Sequence, residues 1–333
     1  MRGRARESVA SLSRVRVRAF GPLSPCGGRP PRAAVGRLVP KSREPLRLDV
    51  RKTYKLYVNG ACVRSESGRA DVVGGGTDDS ANVARASRKD LRDAVVAARA
   101  AFGRWSGMTP LGRGLVLYRL AEMMDARRGE FVERLRSGAK LDEGDALRET
   151  TVAIDRTLWY AGWCDKYAAV LSSRNPVSGP YYNYSAPEPM GVVGTVAPDS
   201  PSLLGLVSAM LPPLVSGNAV VAIASETDPR TAIVFAECLA TCDLPAGAAN
   251  VLTGRRIEIA PPLARHMDVN ALETYALDAP FAAELERLGA DNLKRTRTVA
   301  GSSQAEWFAA EAQDLAHVAR FVEIKTIWHP AGI

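Results

Sequence analysis

The second half of this 333-residue chain predicts an α/β fold with a buried parallel sheet, on three observations. Short strand-like runs recur at residues 191–197, 218–223, 249–253 and 271–276. Stretches with helical patterning separate them, at 203–215, 229–242 and 256–265. The first three are largely apolar without alternation, as strands covered on both faces are. Strands alternating with helices at this spacing make right-handed crossover units, so the expected architecture is Rossmann-like.

Upstream, residues 54–58 alternate, Asn59-Gly60 supplies a hairpin turn, and residues 61–64 return. Ser87-Arg-Lys-Asp90 is a capping-box pattern that opens a helix with Leu91, Val95, Ala98 and Phe102 on one face. Helices are expected over 111–136 and 145–171, the second burying Ile154, Leu158, Ala161 and Trp163. Beyond the sheet, residues 306–313 read as a helix and 321–328 alternate like a strand. Four segments follow: a disordered leader over 1–45, a hairpin and helical part over 46–188, a nucleotide-binding core over 189–302, and a short helix and strand over 303–333.

Composition is that of a globular protein, 46% hydrophobic and 24% charged. The net charge of +8 lies in the leader, where ten Arg and one Lys face two Glu, so the remainder sums to −1. That near-neutral body, without aromatics among its basic residues, argues against a nucleic-acid partner. For the leader, with its six Pro, three readings stand: a transit peptide, a basic arm for lipid or RNA, and translation from an upstream start codon, which asks least. The apolar stretch 203–215, broken by Pro212 and Pro213, is too short for a membrane span. Five Cys (Cys26, Cys62, Cys164, Cys238, Cys242) without framework spacing fit a reducing cytoplasm. Cys238 and Cys242 lie one helical turn apart, a spacing that suits core packing better than a metal lacking a second ligand pair. His266, His317 and His329 flank no carboxylate motif and read as packing or surface residues. No G-x-G-x-x-G, P-loop or G-x-S-x-G motif is present.

Three blocks narrow the reading: Pro187-Glu-Pro-Met-Gly-Val-Val-Gly-Thr-Val-Ala-Pro198, Leu214-Val-Ser-Gly-Asn-Ala-Val-Val221 and Asp243-Leu-Pro-Ala-Gly-Ala-Ala-Asn-Val-Leu-Thr-Gly254. In this order, with the hairpin over 56–68 and the helix leading into Trp105, they resemble the cofactor domain of the aldehyde dehydrogenase superfamily over about residues 47–302. The resemblance implies NAD or NADP as cofactor, with Pro198, Ser200, Ser225 and Glu226 at cofactor-binding positions. It also implies chemistry in which a Cys thiolate attacks an aldehyde and hydride passes to the cofactor.

This sequence departs from that pattern. Ser200 stands where the family has its oxyanion-binding Asn, and Asp199 stands before it in place of an aromatic residue. Val299 takes the place of the general-base Glu, and Ile223 that of the Lys that contacts ribose. The family's glycine-containing turn beside the pyrophosphate becomes Thr274-Tyr-Ala-Leu-Asp278, an ordinary helix start with Pro280. No Cys follows Cys242, and most of the catalytic domain has no counterpart before Ile333. A shortened, cofactor-domain-like copy ending in the tail after Gly301 resembles the non-catalytic second copy of the family-16 branch. The expected role is a degenerate paralogue without catalytic residues or metal, forming homo- or hetero-oligomers with a full-length aldehyde dehydrogenase. Residues 54–63 and 321–328 are the expected contacts. The alternatives are an NAD(P)-linked oxidoreductase of unidentified substrate and a nucleotide or metabolite sensor.

Overall fold

The computed structural model describes residues 52–74 and 79–331; the expected leader and Cys26 lie outside the described residues. β1 (Leu56–Val58) and β2 (Ala61–Val63) form the expected hairpin, with Asn59 and Gly60 at φ of 53° and 77° in its turn. A second hairpin, β3 (Ala70–Val73) with β4 (Ala81–Ala84), follows. The capping box opens α1 (Arg88–Ser106): the Ser87 N–H donates to the Asp90 carboxylate at 2.8 Å, and the Asp90 N–H to Ser87 Oγ at 3.2 Å.

The helix expected over 111–136 is two, α2 (Pro110–Ala126) and α3 (Arg128–Ser137). They part at Arg127, whose φ and ψ of −106° and 15° turn Phe131 and Leu135 onto the core that Leu117, Leu120 and Met124 also enter. The helix expected over 145–171 also divides. α4 (Glu143–Ala161) stops where Gly162 takes the cap, and α5 (Tyr167–Leu171) is separate. Ile154 and Ala161 are buried as expected and Trp163 is half-buried, whereas Leu158 is exposed on the outer face of α4.

β5 (Ser173–Asn175) and β6 (Tyr181–Pro189) escape a hydropathy reading because their inner face is polar. The Asn175 amide donates to Asn183 Oδ1 at 2.6 Å and to Ser185 Oγ at 2.9 Å. Downstream the elements alternate as expected: β7 (Val192–Val196), α6 (Ser202–Val215), β8 (Ala219–Ile223), α7 (Pro229–Leu239), β9 (Ala249–Leu252), α8 (Arg256–Arg265), β10 (Ala271–Tyr275) and α9 (Ala279–Gly289). β11 (Arg295–Val299), unforeseen because it is rich in Arg and Thr, adds an edge strand. α10 (Gln304–Phe308), α11 (Leu315–Ala319) and β12 (Val322–Pro330) close the described chain.

The main sheet runs β11-β10-β7-β8-β9-β1-β2, parallel from β11 to β9 and antiparallel where β1 joins β9. Side chains alternate across it. Ala219, Val221 and Ile223 of β8 face a core shared with α1, α8 and α9, while Val220 and Ala222 face the larger core beneath α6 and α7. β12 pairs antiparallel with β6 over nine residues in a separate sheet, order β12-β6-β5. Among the described residues no helix is long and apolar enough to cross a membrane.

α6 is buried along its whole length, so its end groups need partners inside the protein. At its start, one Glu149 oxygen accepts from the N–H groups of Leu203 at 2.8 Å and Leu204 at 3.1 Å. At its end, Trp105 Nε1 donates to the Leu214 carbonyl at 3.1 Å, and Asn218 Nδ2 to that of Pro213 at 3.3 Å. Gly205 lies under Pro198, where an added Cβ would sit 2.2 Å from Pro198 Cγ. Replacing Gly205 with Ala is expected to cost about 1–3 kcal/mol by overpacking, read as a lower urea midpoint at unchanged slope.

Burial pushes the Glu149 carboxyl up to about 7 from an ordinary 4.5; the two N–H bonds oppose the shift and the nearby Asp228 charge adds to it. A raised carboxyl binds its proton more tightly in the folded state. Its contribution is therefore complete below pH 4.5 and is lost as pH rises through 7, about 3 kcal/mol in all. Glu149→Gln is expected to flatten that part of the pH dependence and to exceed the unsubstituted protein in unfolding free energy above pH 8.

Candidate functional site

Four loops leave the carboxyl ends of β7, β8, β9 and β10 on one rim of the sheet, where open parallel sheets bind ligands. They enclose a cavity of about 600 Å³ whose lining includes Asp199, Glu226, Arg256, Asp278, Phe281 and Glu284. Arg256, the first residue of α8, reaches across it to the loop that follows β7. Its guanidinium donates to the two Asp199 oxygens at 2.7 and 2.8 Å, and to the Ala197 carbonyl at 2.7 Å. The Arg256 side chain is 9% exposed, and its Nε is buried without a hydrogen-bond partner.

Asp199 is thus a paired carboxylate. It also accepts from the Glu226 N–H at 2.8 Å and from Ser225 Oγ at 3.1 Å. An oxyanion forming nearby would meet this ion pair and not a free carboxylate. Glu226 is exposed, yet one of its oxygens accepts from the Arg256 backbone N–H and so caps α8. Asp278 caps α9 as expected, accepting from the Phe281 N–H at 3.2 Å. Pro198 is buried against α6, Ser225 is buried between Asp199 and α7, and Ser200 is exposed.

Val299 belongs elsewhere. It is half-buried at the end of β11 and lines a second cavity of about 410 Å³ with Tyr160, Tyr275, Trp307 and His317. Beside this cavity, buried Glu273 accepts from the Tyr275 hydroxyl and from Arg320, both at 3.1 Å. Arg156, 1% exposed, donates to Ser208 Oγ at 2.7 Å and to the Trp307 carbonyl at 2.8 Å. Burial lowers His266 and His317 from the usual imidazole value. Cys238 and Cys242 are core residues, their thiols pushed up by burial to about 12 and about 11. Among the described residues no three His, Cys, Asp or Glu side chains gather as a metal site.

Sequence reasoning missed Arg256. The available signal was a cation at a helix N-terminus, against the helix dipole, which calls for a partner outside the helix. As a seat for a dinucleotide, the rim does not fit. N–H groups opening α8 and α9 already bond the chain's own Glu226 and Asp278, and Asp199 and Arg256 span the space between the β7 loop and α8.

The profile of the aldehyde dehydrogenase family matches residues 63–329. A putative aldehyde dehydrogenase, DhaS, of Bacillus subtilis (strain 168) is 32% identical over 252 residues, which are 73% of this chain and 49% of that protein. Cytosolic 10-formyltetrahydrofolate dehydrogenase of Xenopus tropicalis is 33% identical over 236 residues, 68% of this chain and 26% of that protein. A solved aldehyde dehydrogenase of Bacillus cereus in complex with NAD+ superposes with a TM-score of 0.70 at 26% identity, over 74% of this chain and 50% of its own. The chain therefore spans about half the length, or less, of the relatives it matches. Sheet order, strand-end cleft and family profile agree, and the chain belongs to the aldehyde dehydrogenase family.

Proposed function

We propose that this chain is a non-catalytic member of the family that serves as a structural or regulatory subunit of a full-length aldehyde dehydrogenase. The observation that carries the reading is Val299. At the position that resemblance assigns to the general base, an aliphatic side chain packs against the main core and has no proton to exchange. Exposed Ser200, at the position of the oxyanion-binding amide, supports the same reading.

Assembly in this reading uses two elements. β2 is the outer strand of the main sheet and exposes Ala61, Cys62 and Val63. β12 is an outer strand of the smaller sheet and exposes Ile324 and Trp328. Unpaired strand edges with apolar side chains invite a further strand. The chain's own β6 takes one edge of β12, so a partner would meet the other.

The test is to tag the chain in its native host, purify it gently, and identify the co-eluting proteins and the native mass. A stoichiometric, Cys-containing aldehyde dehydrogenase is expected. Ile324→Asp combined with Trp328→Asp is expected to reduce its recovery by about tenfold or more, since a strand edge carrying charge resists pairing. Elution as a lone chain or a homo-oligomer overturns the heteromeric reading.

A further inference from the structure

The geometry points to a nucleotide cleft held shut from within, in which the protein's own carboxylates take the anion positions and NAD(P) is excluded. This deepens the non-catalytic reading but rests on different atoms.

Three carboxylates converge on the 600 Å³ cavity, each already bonded to a donor that would otherwise face a ligand phosphate. Glu226 holds the first N–H of α8 and Asp278 an N–H in the first turn of α9. Those are the backbone groups with which helix N-termini bind phosphates. Asp199 holds the guanidinium of Arg256, the one cation among the described residues of the lining, through two oxygens, the geometry with which arginine also grips phosphate. A pyrophosphate entering here would have to break charge-assisted bonds and then sit beside the carboxylates it displaced. Glu284, on α9, adds a fourth negative charge to the lining.

The Arg256 tie is also steric. Its guanidinium lies across the ends of β7 and α8, bonded to the Ala197 carbonyl as well as to Asp199. With the side chain 9% exposed, little of it remains for a ligand to contact. The cleft is therefore preorganised without a cofactor, with donors of α8, α9 and Arg256 held by carboxylates from the loops after β7, β8 and β10.

The experiment titrates the full chain with NAD+ and NADP+ by calorimetry and thermal unfolding. The unsubstituted protein is expected to give no saturable heat and no rise in Tm at millimolar cofactor. The folded double variant Asp199→Asn, Asp278→Ser, which frees the Arg256 guanidinium and keeps a capping hydroxyl on α9, is expected to gain saturable NAD+ binding at least about tenfold tighter than the limit set for the parent. Should that variant not unfold cooperatively, Asp278→Ser and Asp199→Asn made singly are read by the same gain. Submillimolar binding by the unsubstituted chain overturns the proposal. So does failure of the folded variants to bind, because the carboxylates would then not be what excludes the cofactor. Neither result bears on whether a full-length partner co-purifies, so this inference and the subunit reading can fail separately.

Discussion

A helix with no water at either end is the constraint around which the protein is organised. All fourteen residues of α6 are buried, and four strands of the parallel sheet are buried along their length. Buried backbone donors and acceptors must be paired, so other elements have to send polar side chains inward. α4 supplies Glu149 for the start of α6, and α1 supplies Trp105 for its end. The interior therefore contains ionisable groups whose position is dictated by backbone accounting. Asp228 is buried nearby: its carboxylate accepts from the Ser202 and Thr231 hydroxyls, and burial holds it above the usual range.

The strand-end rim applies that rule to a surface where other proteins of this architecture leave donors open. Parallel strands and the helices that follow them point N–H groups at a common cleft, which attracts anions regardless of their source. Here the anions are side chains. Short loops after β7, β8 and β10 each send one carboxylate to the cleft, and the arginine that opens α8 joins two of those loops by hydrogen bonds. The rim keeps the geometry of the fold while its electrostatic demand is met locally.

Legibility in the sequence followed hydropathy. Strands covered on both faces, such as Ala219–Ile223, and helices with an explicit cap, such as Arg88–Ser106, are written in a few adjacent residues. Tyr181–Pro189 and Arg295–Val299 were not, because one turns asparagine and serine inward and the other lies at an edge. Their strand character comes from partners distant in sequence. The break at Arg127 has no nearby proline to announce it, and it took the position of Phe131 in the core to show it. At the site, Asp278 was readable as a cap from its neighbours, whereas the pairing of Asp199 with Arg256 joins loops far apart in the chain. Local chemistry was visible; compensation between remote residues was not.

The pairing of β6 with β12 has a consequence for synthesis. Pro189 meets Val322 and Tyr181 meets Pro330, so β6 emerges from the ribosome more than a hundred residues before the strand that completes it. At about 5–20 residues per second, that leaves one edge of β6 bare for on the order of ten seconds. During that interval the nascent chain presents an unpaired edge bearing Tyr182 and Tyr184, open to any strand that reaches it first. A neighbouring chain on the same messenger could dock there before the proper strand exists, making translation rate a determinant of which pairing is made.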